Sequence, residues 1–457
     1  MPKTHPDDKM LEKFSRGKLN RRENLKVSWH LFNCAACRKE VERMAPEGNE
    51  LLTTLFQGLQ PLDVADNPSY DRAFNFGQNT LEVRGEARDR DRARAPKLYT
   101  ELTRHPVSRQ RALIQRTWRF KNYVFAEFLL EESIRHVPDD PSRAEDLAEL
   151  ALVIAEQLVG SHYGPALIND LRARAWAYVA NARRVATDLR GADEAFSKAE
   201  QLLADGTDDV LLKARILSLK GELRCDQRQF QEAERLHENA IAIYRDGGED
   251  HWVGRTLISM ARAANESGKP VRAVEILNEA ARLIDEKREP RAMWVTKQNL
   301  AHYLVNDGKF KEAQAMMPEV KRLATEIGGD LSMLRASWVE GLIAQGQSRF
   351  DEAERILLKM RDEFAKQGIA YDAALVSLDL AAVYAQQGRT REMKHLAEEM
   401  LPIFRSRDVH REAMAALLVF QNAARAETAT LQLVRDVSRF LHQARTNPEL
   451  QFHQQAS

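Results

Sequence analysis

The chain repeats itself every forty residues. Phe230-Gln-Glu-Ala233 returns as Pro270-Val-Arg-Ala273, then as Phe310-Lys-Glu-Ala313 and Phe350-Asp-Glu-Ala353, with a weaker copy at Thr390-Arg-Glu-Met393. Twelve positions before the last residue of each block stands a small residue: Gly221, Ala261, Ala301, Gly341 and Ala381. Eleven positions after it come Tyr244, Ile284, Ala324, Phe364 and Phe404, and Gly268, Gly308 or Gly388 stands just ahead of the block. Several independent columns sharing one period define a structural unit. Two amphipathic helices of about seventeen residues and two short turns fill such a unit. Small residues let the paired helices approach closely, and the glycine supplies a left-handed helix ending. One hairpin of this kind cannot bury its apolar face alone, so neighbours must stack into a solenoid.

These columns resemble the tetratricopeptide repeat in a long, forty-residue form, over residues 165–425. An earlier unit is visible in Ala175-Trp-Ala-Tyr-Val-Ala-Asn181 followed by Ala192-Asp-Glu-Ala195. Residues 111–164 read as a more divergent repeat, a helix pair split by Pro138-Asp-Asp-Pro141. Residues 426–457 read as a capping helix, Leu431 to Ala444, and a polar tail. By repeat phase the first helices present Arg215, Arg255, Arg262, Asn265, Gln298, His302, Arg335 and Trp338 to the inner wall. Such a wall suits an extended peptide, acidic or ending in a carboxylate. The resemblance implies a protein or peptide partner in that groove.

Residues 1–45 form a separate small helical unit, and 46–110 read as a helical linker region containing the alternating charges of residues 82–94. The first unit contains His30-Leu-Phe-Asn-Cys34-Ala-Ala-Cys37. On one helix, positions four and three apart share a face. Imidazole and thiolate at that spacing can converge on a tetrahedral zinc ion, a structural cofactor in a unit too small to hold itself together. His5, ahead of Pro6-Asp7-Asp8 at a helix start, is the chosen fourth ligand; Asp7, Asp8, water or no fourth ligand are the alternatives. Asn20 and Glu23 suggest a capping box for the helix carrying His30. The two helices would present an apolar surface including Leu31, Phe32 and Val41.

His5-Pro, Leu11-Glu-Lys-Phe14, Gly17-Lys-Leu19, Glu23, Val27 and His30-Leu-x-x-Cys34-x-x-Cys37-Arg38 resemble the zinc-binding anti-sigma domain of bacteria, over residues 5–40. The resemblance implies zinc ligation by His30, Cys34 and Cys37 with His5 at the upstream ligand position, and a sigma factor or related regulatory protein as partner. In some members, oxidation of the cysteines expels zinc, so the site would be redox-sensitive. Many relatives continue into a membrane span; here a helical array follows, and the zinc unit could also be a plain interaction module on a scaffold or on a peptide-responsive regulator.

The remaining features exclude other classes. Lys+Arg and Asp+Glu are both 68, so no net charge draws the chain to nucleic acid or anionic lipid. The basic run Arg104 to Lys121, interleaved with Trp118 and Phe120, reads as an outer helix face neutralised by a nearby acidic repeat, so direct nucleic-acid contact is not expected. Three cysteines build no disulfide framework, and Cys225, alone in a repeat, reads as packing. No apolar run is long enough to span a membrane, and the first residues lack a signal peptide's apolar stretch, which points to the cytoplasm. No phosphate loop, nucleophile elbow or H-E-x-x-H occurs, so an enzyme is not expected. The expectation is an all-α chain, a small zinc-binding unit followed by a tetratricopeptide-like α-solenoid. It would act as a soluble anti-sigma-like interaction regulator.

Overall fold

The computed structural model describes residues 5–15, 19, 23, 27, 30–31, 34–44, 88–158, 163–405, 411–444 and 451. The chain divides into two compact units, Met1–Ala87 and Arg88–Ser457. Every regular element among the described residues is helical.

In the larger unit the second helices of the repeats are Phe230–Asp246, Pro270–Leu283, Phe310–Ile327, Phe350–Lys366 and Thr390–Arg405. Each starts on the first residue of its sequence block. Their partners are Val210–Asp226, Asp250–Glu266, Pro290–Asn306, Asp330–Gly346 and Ala370–Gln386. The block residues Ala233, Ala273, Ala313, Ala353 and Met393 are all buried, as are Ala261, Ala301 and Ala381 on the facing helices. Where the facing residue is glycine, the helices come closer still. A Cβ on Gly221 would stand 2.6 Å from the His237 ring, and one on Gly341 2.8 Å from Leu357. The small residue therefore makes room for the large side chain seven positions into the second helix.

The turn between paired helices has the same backbone in every repeat. Gly268, Gly308 and Gly388 lie at φ 82°, 76° and 69°, and Arg228 and Ser348 hold the same register at φ 61°. The left-handed residue ends one helix and frees the chain to reverse.

First helices touch the first helices of neighbouring repeats, from Pro165–Val185 through Ala370–Gln386, whereas second helices approach one another far less. The first helices thus form the inner row. Leu431–Ala444 buries Val434, Val437, Phe440 and Leu441 and packs against Ala370–Gln386, as a capping helix must.

Upstream, Pro165–Val185 pairs with Leu189–Ala204, and Tyr123–His136 with Pro141–Gln157. Asp140 caps the last of these by accepting from the Arg143 amide, with Pro141 at its first position. The expected boundary at residue 111 is corrected. Residues 88–103 are helical, and Ala95 and Leu102 are buried in the same core as Phe125, Leu129 and Leu147. The apolar stripe Ala95, Leu98, Tyr99, Leu102 has helical spacing; the charges around it hid it. Residues 46–87 of the expected linker lie outside the described residues.

In the smaller unit, Asp8–Ser15 packs against Ala35–Met44. Among the described residues, Leu11, Val27, Leu31, Cys37 and Val41 form its core. Leu31 and Val41 are therefore core residues, not a docking surface, and Phe32 lies outside the described residues. The first helix starts at Asp8, and Asp7 caps it by accepting from the Met10 amide at 2.8 Å.

Candidate metal centre and inner face of the array

His30 and Leu31 are helical, but Cys34 is not; it stands immediately before Ala35–Met44, and Cys37 lies in that helix's first turn. This corrects the expectation of one continuous helix under the whole motif. The break brings Cys34 and Cys37 to the start of one helix while His30 approaches from another. His5, in the non-helical stretch before Asp8–Ser15, completes the group. The capping box expected at Asn20 falls outside the described residues.

The donor atoms of His5, His30, Cys34 and Cys37 all lie within 4.8 Å of one another. His5 Nδ1 is 3.2 Å from Cys37 Sγ and 3.5 Å from Cys34 Sγ. His30 Nε2 is 3.2 Å from His5 Nδ1 and 3.3 Å from Cys37 Sγ. Around a tetrahedral zinc with ordinary bond lengths, nitrogens stand about 3.3 Å apart and nitrogen and sulfur about 3.5 Å apart. The four separations given match those edges. Burial, then the hydrogen bond and charge of Cys34, push the Cys37 thiol up to about 11. Packing two sulfurs and two imidazoles this closely disfavours thiolate unless a cation stands among them.

On the array, the inner row carries the residues read from the repeat phase, but most of their polar groups are spent between repeats. Arg255 donates to Glu289 at 2.6 Å. Arg262 donates to Asp226 at 2.6 Å, and Arg184 donates to the other Asp226 oxygen at 2.7 Å. Arg335 pairs with Asp372 at 3.3 Å, and the Trp338 indole donates to Asp379 at 2.7 Å. Gln298 donates to the Arg335 carbonyl, and Asn265 accepts from Asn306. His302 is held neutral by burial, its pKa pushed down to about 4. Burial opposes the Glu222 charge, but Arg184 and Arg262 overcome it and hold its carboxyl at about 2. Burial pushes Asp379 up to about 7 despite the Trp338 hydrogen bond.

Arg215 differs. It lies over the rings of Trp252 at 4.9 Å and Tyr178 at 5.9 Å. The three aromatic and cationic residues come from successive first helices, 37 positions apart each time. That offset was legible in the sequence, yet Tyr178 and Trp252 were not singled out because the repeat period read there was forty. Elsewhere, Arg111 pairs with Glu149 and Arg119 with Glu101, so the basic run 104–121 is partly neutralised as expected. Cys225 is fully buried, and burial raises its thiol to about 12, which makes it a packing residue.

The tetratricopeptide repeat profile matches residues 212–286. No curated protein matches the sequence. Among solved structures, a Rap protein complexed with competence and sporulation factor is similar at 13% identity and a TM-score of 0.52, covering 71% of this chain and 92% of that one. The apo form of RapI is similar at 11% identity and a TM-score of 0.50, covering 69% of this chain and 86% of that one. These likenesses show the fold, a tetratricopeptide-like helical array. Among the described residues no helix is long and apolar enough to cross a membrane.

Proposed function

We propose that the chain is a non-enzymatic regulatory adaptor. Its N-terminal helices, fixed by zinc, engage a partner of the sigma-factor class, and the inner row of the array holds a second protein or a peptide. The observation that carries this reading is the convergence of His5, His30, Cys34 and Cys37, separate from an array with cores of its own. Zinc there supplies a cross-link between segments and, with four protein donors, offers no open position for hydrolysis. His5 ties the start of Asp8–Ser15, Cys34 and Cys37 tie the start of Ala35–Met44, and His30 ties the segment between. Leu11, Leu31 and Val41 pack under that clamp. An inner face of cations and aromatic rings supports ligand holding on the array, and a solved structure of this fold is a Rap protein complexed with competence and sporulation factor.

The test is direct. Each sigma factor of the native host is mixed with the purified, zinc-replete chain and examined by native mass spectrometry. A one-to-one complex with a sigma factor, lost in Cys34→Ser, is expected. Complexes with none of them would leave a scaffold built on the array alone.

A further inference from the structure

A cleft of about 430 Å³ opens on the inner row where Pro165–Val185, Val210–Asp226 and Asp250–Glu266 meet. Tyr178, Tyr244 and Trp252 wall it, with Leu211 and Leu212 beside them. Trp252 stacks on Tyr244 with ring centres 6.1 Å apart, so the aromatic wall is continuous. Arg215 lies in this wall. The neighbouring inner-row cations Arg174, Arg184, Arg255 and Arg262 each stand within 4 Å of a carboxylate. Among the described residues Arg215 has none that close, and its Nε is buried without a hydrogen-bond partner. A guanidinium offers five donors in a fixed fork, and leaving a buried one unbonded is costly. Stacking on Trp252 and a hydrogen bond to Tyr178 hold the guanidinium in place while Nε stays unbonded.

Four acids line the cleft; three are engaged, and the fourth, Glu249, stands at the N-cap of the Asp250–Glu266 helix. Glu127 accepts from Arg174, Asp170 accepts from Thr207, and Asp209 caps the Val210–Asp226 helix by accepting from Leu211 and Leu212. They leave no cationic cluster that would hold a phosphate. They do leave one cation with an unfilled donor, beside an apolar and aromatic wall.

We infer that this cleft takes a carboxylate attached to an apolar or aromatic residue, as at the C-terminal end of a peptide, with the carboxylate on Arg215 and the side chain against Tyr244 and Trp252. The inference rests on the reading of the array as a peptide or protein receptor and names the group it recognises. Charge-assisted bonding to Arg215 selects a free chain end over an amide, and the volume admits the last two or three residues of a peptide.

The probes are acetyl-Ala-Ala-Phe with a free carboxylate, its C-terminal amide, the amidated peptide acetyl-Ala-Asp-Phe, and inorganic phosphate. Binding to the full chain is followed at the Trp252 indole N–H by NMR, with Trp252→Phe identifying the signal. A ligand of this size should bind with a Kd of about 1 mM or tighter. The amide and Arg215→Gln, whose fold is checked by circular dichroism, should each weaken binding about ten- to a hundredfold. Absence of saturable binding by the free acid, equal binding of the amide, unchanged binding in Arg215→Gln, or stronger binding of the internal Asp peptide or of phosphate would overturn the inference. Recruitment of a protein partner by a chain that ignores the free acid would overturn this inference alone. Binding of the acid by a chain that recruits no protein would overturn only the adaptor reading.

Discussion

At Ser348 the backbone sits at φ 61°, the register in which Gly268 and Gly308 sit at 82° and 76°. A non-glycine residue there costs roughly 1–2 kcal/mol, against up to about 1 kcal/mol of extra chain entropy lost by glycine on folding. Ser348→Gly should therefore stabilise the array by about 0.5–1 kcal/mol, read as a higher urea midpoint at unchanged slope. His237 makes the opposite kind of demand. It is fully buried against Gly221, neither ring nitrogen has a hydrogen-bond partner, and burial pushes its pKa down to about 4. The unfolded chain binds this proton near the ordinary value of about 6.5, the folded chain only near 4. The contribution of neutral His237 is therefore complete above pH 6.5 and is lost as pH falls toward 4, by about 3 kcal/mol in all. Leu277 and Leu357 occupy the same place in other repeats. His237→Leu should flatten the fall in stability between pH 7 and pH 4.5, measured by urea unfolding; an unchanged pH profile would rule His237 out as its source.

Between elements, the array is held by contacts that run along the inner row as well as by the pairing within each hairpin. Asp226 shows their weight. Its carboxylate is buried and takes Arg184 from the preceding repeat and Arg262 from the following one. Removing it takes from each arginine its closest carboxylate and leaves Arg184 with Glu222 and Arg262 with Glu266. Asp226→Ala should cost about 1–3 kcal/mol. Because repeats unfold by neighbourhood, the loss should appear as an earlier transition of the 165–266 region rather than a uniform shift. Hydrogen exchange would locate it, and uniform loss of protection would contradict it. Arg255, engaged by Glu289, should affect stability more than ligand affinity when changed to Gln, in contrast to Arg215.

The same comparison shows what the sequence disclosed. The forty-residue columns located the starts of the second helices, because buried alanines and left-handed turns admit few substitutes. Residues 88–103 read as helical, but their packing into the array core was not legible because Asp and Arg outnumber Ala95, Leu98 and Leu102. The inner-row face of Arg255, Arg262 and Arg335 was legible from phase. Their carboxylate partners were not, since those stand 34–37 positions away on other helices. At the candidate metal centre the four converging side chains were legible, but the helix break at Cys34 was not, because the motif satisfies helical spacing whether or not the helix is continuous.

At the scale of the whole chain, two units of different construction are joined. The array has enough buried surface to stand by repetition. The core of the N-terminal unit is, among the described residues, of few side chains, and on the reading proposed above it depends on a zinc clamp among His5, His30, Cys34 and Cys37. The measurement that bears most directly on this dependence is the zinc content of the freshly purified, reduced full chain, beside Cys34→Ser. One zinc per chain is expected in the wild type and a small fraction of one in the variant. A wild-type chain folded throughout and free of zinc would show that the four donors serve some other purpose.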